Sequence, residues 1–177
     1  MNTPYTLKRS VRARALRLTV HPDGALTVTA PFRFGMRAIK EFVEEHMGWI
    51  ERHVARAKTR AILRIARKDI LELKKKAEVL ARERCAHMAR LYGCSYKEIR
   101  IGAQKSRWGS CSPRGVLCFN YKLAALPPHL SDYVIVHEIC HLREMNHSKK
   151  FWAQVAKTVP QYAAFRKELR NIVAVFH

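Results

Sequence analysis

Apolar and polar residues alternate near the start of the chain, and the period then changes. Leu16, Leu18 and Val20 alternate with polar neighbours. His21-Pro22-Asp23-Gly24 follows, and Leu26, Val28 and Ala30 alternate again up to Pro31. Two period-two runs around a short glycine-containing loop predict a β-hairpin. The first thirty residues read as strand, with Arg14 and Arg17 on the outward face and Lys8, Arg9 and Arg12 just before it. From Met36, the positions Ile39, Phe42, Val43, Met47, Ile50 and Val54 fall at helical spacing. Ile70, Leu73, Ala77, Leu80, Ala81, Met88 and Leu91 predict a second helix, stopped by Gly93. Between the two, Arg52, Arg56, Arg60, Arg64 and Lys68 recur every four residues. If that stretch is helical they form one basic stripe, either a contact for phosphates or a solvated face.

Residues 95–123 return to strand and turn. Ile99 and Ile101 belong to one strand, Ser112-Pro113-Arg114-Gly115 to a turn, and Val116 to Leu123 to the returning strand. Ser131 to His141 is apolar on nearly every side, which predicts a buried helix. Two further helices are expected, over Lys149 to Thr158 and over Gln161 to Val175. The sum is an α+β fold. The hairpin and first helix occupy residues 1–58 and the remaining elements 59–177, together forming one compact unit.

Composition narrows the class. Of 177 residues 48% are apolar, enough for a buried core and against a disordered chain. No apolar run approaches the ~20 residues of a membrane span. The first residues lack the apolar core of a secretory signal, so the cytoplasm is the expected compartment. Lys and Arg number 34 against 14 Asp and Glu, a net charge of +20. Charge of that size bears on partners, here a nucleic acid associating through the basic surface or another polyanion, and not on fold. The five cysteines have no Cys-x-x-Cys spacing and read mostly as small buried residues.

The buried helix contains His137-Glu138-Ile139-Cys140-His141. Residues four apart share a helical face, so His137 and His141 can reach one metal ion. Glu138 is rotated about 100° from His137 and can take a proton from water beside the metal without ligating it. His147 is a third imidazole. Three neutral nitrogens plus water describe an open zinc site rather than a closed structural one. On a continuous helix, residues 137 and 147 would be about 15 Å apart, so the helix must stop between them. It is expected to end near Arg143–Asn146, with Asn146 the next-best residue after glycine for a left-handed turn. Glu144 is the rival third ligand, at a spacing that suits a continuing helix. Cys140 is adjacent, but a thiolate ligand would imply a closed site.

The run Lys105-Ser-Arg-Trp-Gly-Ser-Cys-Ser112, then Phe119-Asn-Tyr-Lys-Leu123, Tyr133 to Leu142, Asn146-His-Ser148 and Phe151-Trp152 resembles the YgjP-like metal-dependent hydrolases. That family is related to the SprT and WLM (Wss1-like) zinc metalloproteases. The resemblance covers most of the chain. It implies a zincin-like fold, Zn2+ at His137, His141 and His147, and Glu138 as catalytic base. The chain has Asn120-Tyr121-Lys122 where the family usually has Asn-Trp-Arg, and Cys140 where it usually has Ala; neither change removes a ligand.

Arg107 is a second catalytic candidate, since its planar, permanently charged fork suits an oxyanion or phosphate. Lys105 or Lys122 could assist it, and the alternative is that Arg107 and Asn120 hold loop carbonyls. Three functions follow. The first is a zinc metallopeptidase acting on a protein or peptide. The second is a phosphohydrolase acting on nucleotides or another anion. The third is a basic nucleic-acid-binding protein with structural zinc. Imidazole ligation also suits other divalent metals such as Ni2+ or Mn2+.

Overall fold

A computed structural model describes residues 4–177. The strand expectation for residues 1–3 lies outside the described residues. The chain divides into two compact units, Met1–Ile62 and Leu63–His177.

In the first unit, β2 (Arg17–Val20) and β3 (Leu26–Ala30) form the expected antiparallel hairpin. Asp23 accepts a hydrogen bond from the Ala25 amide and Gly24 takes a positive φ of 86°, which together close the turn. β1 (Tyr5–Arg9) adds to the far side of β3 in parallel, giving the order β1-β3-β2. Arg9 donates to the Pro31 and Phe34 carbonyls at 2.9 and 2.6 Å. Leu26, Val28 and Ala30 alternate onto one face of β3 and meet Ile39, Val43 and Ile50 in a small core. Those three come from α1 (Met36–Glu45) and α2 (Met47–Lys58). The one apolar stripe is thus two helices broken at His46, whose ring bonds back to the Phe42 carbonyl at 2.8 Å.

The five-cation stripe does not form. α2 stops at Lys58, Arg64 lies in β4 (Ala61–Ile65) and Lys68 in a 3-10 turn, so only Arg52 and Arg56 share a helix. The Ile-Leu-Arg-Ile segment is extended because it pairs with β8 (Ile172–Phe176). The same pairing corrects the C-terminal helix. α6 (Tyr162–Asn171) ends at Asn171, and the β-branched run that follows is strand rather than helix.

The second unit is built round α3 (Ile70–Tyr92), capped by Gly93 in the left-handed region at φ 58°. Its sheet has the order β5-β7-β6, from β5 (Glu98–Gly102), β6 (Gly109–Cys111) and β7 (Val116–Asn120). β6 and β7 form the hairpin around the 112–115 turn, whereas β5 runs parallel to β7. α4 (Pro128–His141) is packed by α3, α5 (Lys149–Thr158), α6 and β6. Ile135, Val136, Ile139 and Cys140 have no exposed surface, as its all-round apolar sequence required. None of the helices is long and apolar enough to cross a membrane among the described residues.

Candidate metal centre

His137 and His141 occupy the last turn and a half of α4, which ends at His141. The stop comes slightly before the expected span. It is made by ordinary turn bonds, the Arg143 and Glu144 amides both donating to the Cys140 carbonyl at 3.1 and 3.0 Å. No non-glycine residue among those described has a positive φ, so Asn146 turns the chain without a left-handed conformation. Ser148 then caps α5, accepting from the Phe151 amide at 3.3 Å. The short link swings His147 back over α4.

The result is a cluster. One ring nitrogen from each of His137, His141 and His147 lies within 4.8 Å of the other two. The Nε2 atoms of His137 and His147 are 3.0 Å apart. Two nitrogens bound to one tetrahedral zinc are separated by about 3.3 Å, so the observed spacing is close to that of shared ligation. Burial and the two neighbouring rings depress the His137 pKa to about 3, which keeps the ring neutral and its lone pair free. His141 Nδ1 meets the Glu144 carbonyl at 3.0 Å, leaving Nε2 for a metal. Glu144 thus enters through its main chain and not as the rival ligand. The three rings fit a divalent ion of the zinc type.

Phe151 carries the cluster. It has no exposed surface, stacks on His141 at 4.5 Å and meets His137 and His147 edge-on at 4.9 and 4.8 Å. Cys140 points away from the cluster into the core and is a free thiol, as are the other four cysteines.

Glu138 is 5% exposed, and burial raises its pKa to about 8 against the lowering influence of Arg107. Gly109 of β6 backs directly onto its side chain. A cleft of about 630 Å³ opens over His137, Glu138 and His147. Arg107 reaches it, together with Lys105 and Lys122. Asn120 does not. It is fully buried, donates to the Gln104 and Arg107 carbonyls at 2.6 and 3.1 Å, and pins the loop that presents Arg107.

Several cleft residues escaped the sequence reading: Tyr133, Arg166, Arg170 and the β8 wall of Ile172, Val173 and Phe176. The arginines are four apart on α6, and that spacing was the available signal. Strand β6 forms one edge of its sheet. Trp108 accepts from the Asn120 amide and the Ser112 amide donates to Val116, so these residues turn their main-chain groups towards β7. By alternation, the main-chain groups of Gly109 and Cys111 face away from it.

The sequence profile of the family described as YgjP-like, metallopeptidase domain, matches residues 14–74 and 66–172. The fold is similar to the crystal structure of the metallopeptidase zymogen of Pyrococcus abyssi abylysin. Identity is 23%, the TM-score is 0.46, and the alignment covers 52% of this chain and 99% of that one. No curated protein matches the sequence.

Proposed function

Because the chain belongs to the YgjP-like metallopeptidase domain family, we propose that it is a zinc-dependent peptidase whose general base is Glu138. The observation that carries this reading is the convergence of three imidazole nitrogens beside one buried carboxyl group. Zinc bound there would supply Lewis acidity, polarising the scissile carbonyl and acidifying water. A cation held by the three histidines would favour the ionised form of Glu138, which would then take the proton of the attacking water and return it to the leaving amine. The outward main-chain groups of Gly109 and Cys111 hold the substrate as an extended strand along β6. Arg107 offers its guanidinium to the developing oxyanion.

The cations of the cleft would also suit a phosphoester, and that is the second reading. Family membership favours the peptide bond. A structural-zinc binding protein is the weakest reading, because three imidazoles leave a coordination position open.

The test is metal analysis of the purified chain beside His147→Ala and Glu138→Gln, followed by cleavage of quenched fluorescent peptides and of nucleotides. We expect one zinc per chain, kept by Glu138→Gln and lost by His147→Ala. Peptide cleavage should fall about 10²–10⁴-fold in Glu138→Gln. A metal-free chain after refilling, or an unimpaired Glu138→Gln, overturns the reading. Cleavage of nucleotides alone selects the second.

A further inference from the structure

The cleft over the histidines is strongly one-sided in charge. Lys105, Arg107, Lys122, Arg166 and Arg170 line it, and Glu138 is the sole acidic residue among its lining residues. Among the described residues, none of the five cations has a carboxylate within ion-pair distance. Among the described residues the ion pairs lie within α1, α3 and β5 and between Arg84 and Asp132, and the His129 ring meets Glu168. The last is telling. Glu168 sits between Arg166 and Arg170 on α6, yet it pairs with His129 at 3.1 Å and leaves both arginines uncompensated.

Two of the cations are placed by aromatic faces. Arg166 lies over the Trp152 ring at 5.1 Å and Lys122 over Trp108 at 5.7 Å. Such contacts fix a cation without neutralising it. The positive groups also come from two separate parts of the unit. Lys105, Arg107 and Lys122 arise beside β6 and after β7, and Arg166 and Arg170 arise on α6.

We propose that this cleft selects a peptide with Asp or Glu side chains flanking the bond presented to the histidines. Lys105 and Lys122 receive a carboxylate on one wall and Arg166 and Arg170 a carboxylate on the other. A peptide is favoured over a nucleic acid because the outward main-chain groups of Gly109 and Cys111 need both donors and acceptors from a partner main chain, and a phosphodiester backbone has no N–H. The inference rests on the peptidase reading for the bond cleaved, but not for the binding.

The experiment uses the zinc-loaded full chain carrying Glu138→Gln, so that nothing is turned over. Fluorescently labelled peptides with two Glu, or with Gln in their place, are compared by anisotropy, each with a free and an amidated C-terminus. The Glu peptide should bind roughly tenfold more tightly. Arg166→Gln with Arg170→Gln should shrink that preference to about twofold or less. Arg52→Gln with Arg56→Gln, which removes equal charge from exposed positions of α2, should leave it intact. Equal binding of the two peptides, equal losses in both double variants, or a preference that follows the free C-terminus overturns the proposal. So does a single-stranded oligonucleotide that binds more tightly and depends on the same two arginines. Failure of the wild-type chain to cleave any peptide would sink the peptidase reading and leave this binding result standing.

Discussion

A Cβ added at Gly109 would lie 2.8 Å from both Cγ and Oε1 of Glu138. The backbone of Gly109 has a negative φ, so its glycine is a matter of space rather than conformation. The edge strand and the carboxyl group are in direct contact, and the absence of a side chain at 109 sets where the carboxyl group rests. Gly109→Ala should therefore displace Glu138 while sparing the three imidazoles. We expect metal content unchanged and kcat lowered by about 10²-fold, since positioning errors near 1 Å cost that much. Metal analysis and peptide turnover on one preparation check it.

His147 and Glu144 make opposite predictions. Only the carbonyl of Glu144 supports the cluster, through His141 Nδ1. Glu144→Ala should keep its metal with affinity within about threefold of the parent, whereas His147→Ala should lose about two orders of magnitude or more. Titration against a competing chelator distinguishes them.

Phe151 contacts all three rings from a fully buried position. Phe151→Ala should cost about 3–5 kcal/mol of unfolding free energy through the cavity it opens. It should also weaken metal binding, because the imidazoles lose the surface that aligns them. Denaturant unfolding of the metal-free chain isolates the first effect. Phe151→Leu should recover most of the stability.

Cys85 gives the pH dependence. It is fully buried on α3, and burial, with Glu138 nearby, raises its pKa from 9.0 to about 12. Below pH 9 the thiol is protonated in both states and costs nothing. Above that the unfolded chain sheds the proton first, so the stability contribution is lost as pH rises towards 12. The expected slope is about 1.4 kcal/mol per pH unit from this one thiol. Unfolding curves from pH 8 to 11 should be steeper in the parent than in Cys85→Ala by about that slope, the slope left in the variant coming from other thiols such as Cys111 and Cys140, whose pKa values burial raises to about 11. In the folded chain below pH 9, Cys85 should also resist alkylation.

Local pattern made much of this molecule legible. The 16–30 hairpin, the stop at Gly93 and the buried H-E-x-x-H helix follow from periodicity, and the third imidazole follows from helix geometry. What was illegible depended on distant partners. Ile172-Val173-Ala174-Val175 continues the apolar phase of α6, and only pairing with β4 makes it strand. The Arg52 to Lys68 stripe failed for the same reason, since β4 interrupts the helix that would have aligned it. Broken amphipathic helices such as α1 and α2 share one continuous stripe, which hides a break at His46. The contact of Gly109 with Glu138 links residues on different elements, and no spacing rule reaches it.

The three imidazoles differ in shelter. His141 is buried, His137 is half-buried and His147 is exposed on the link between two helices. Two ligands thus wait on the most protected helix of the fold, and the third approaches from solvent. Metal loading should then be ordered in time. An incoming ion would meet His147 on the solvent side and the fixed α4 pair behind it, and His147 would be the first of the three to release it. The rate of exchange would be governed by the mobility of residues 142–148 and not by opening of the core, so the centre could trade its ion while amide protection along α4 stays intact.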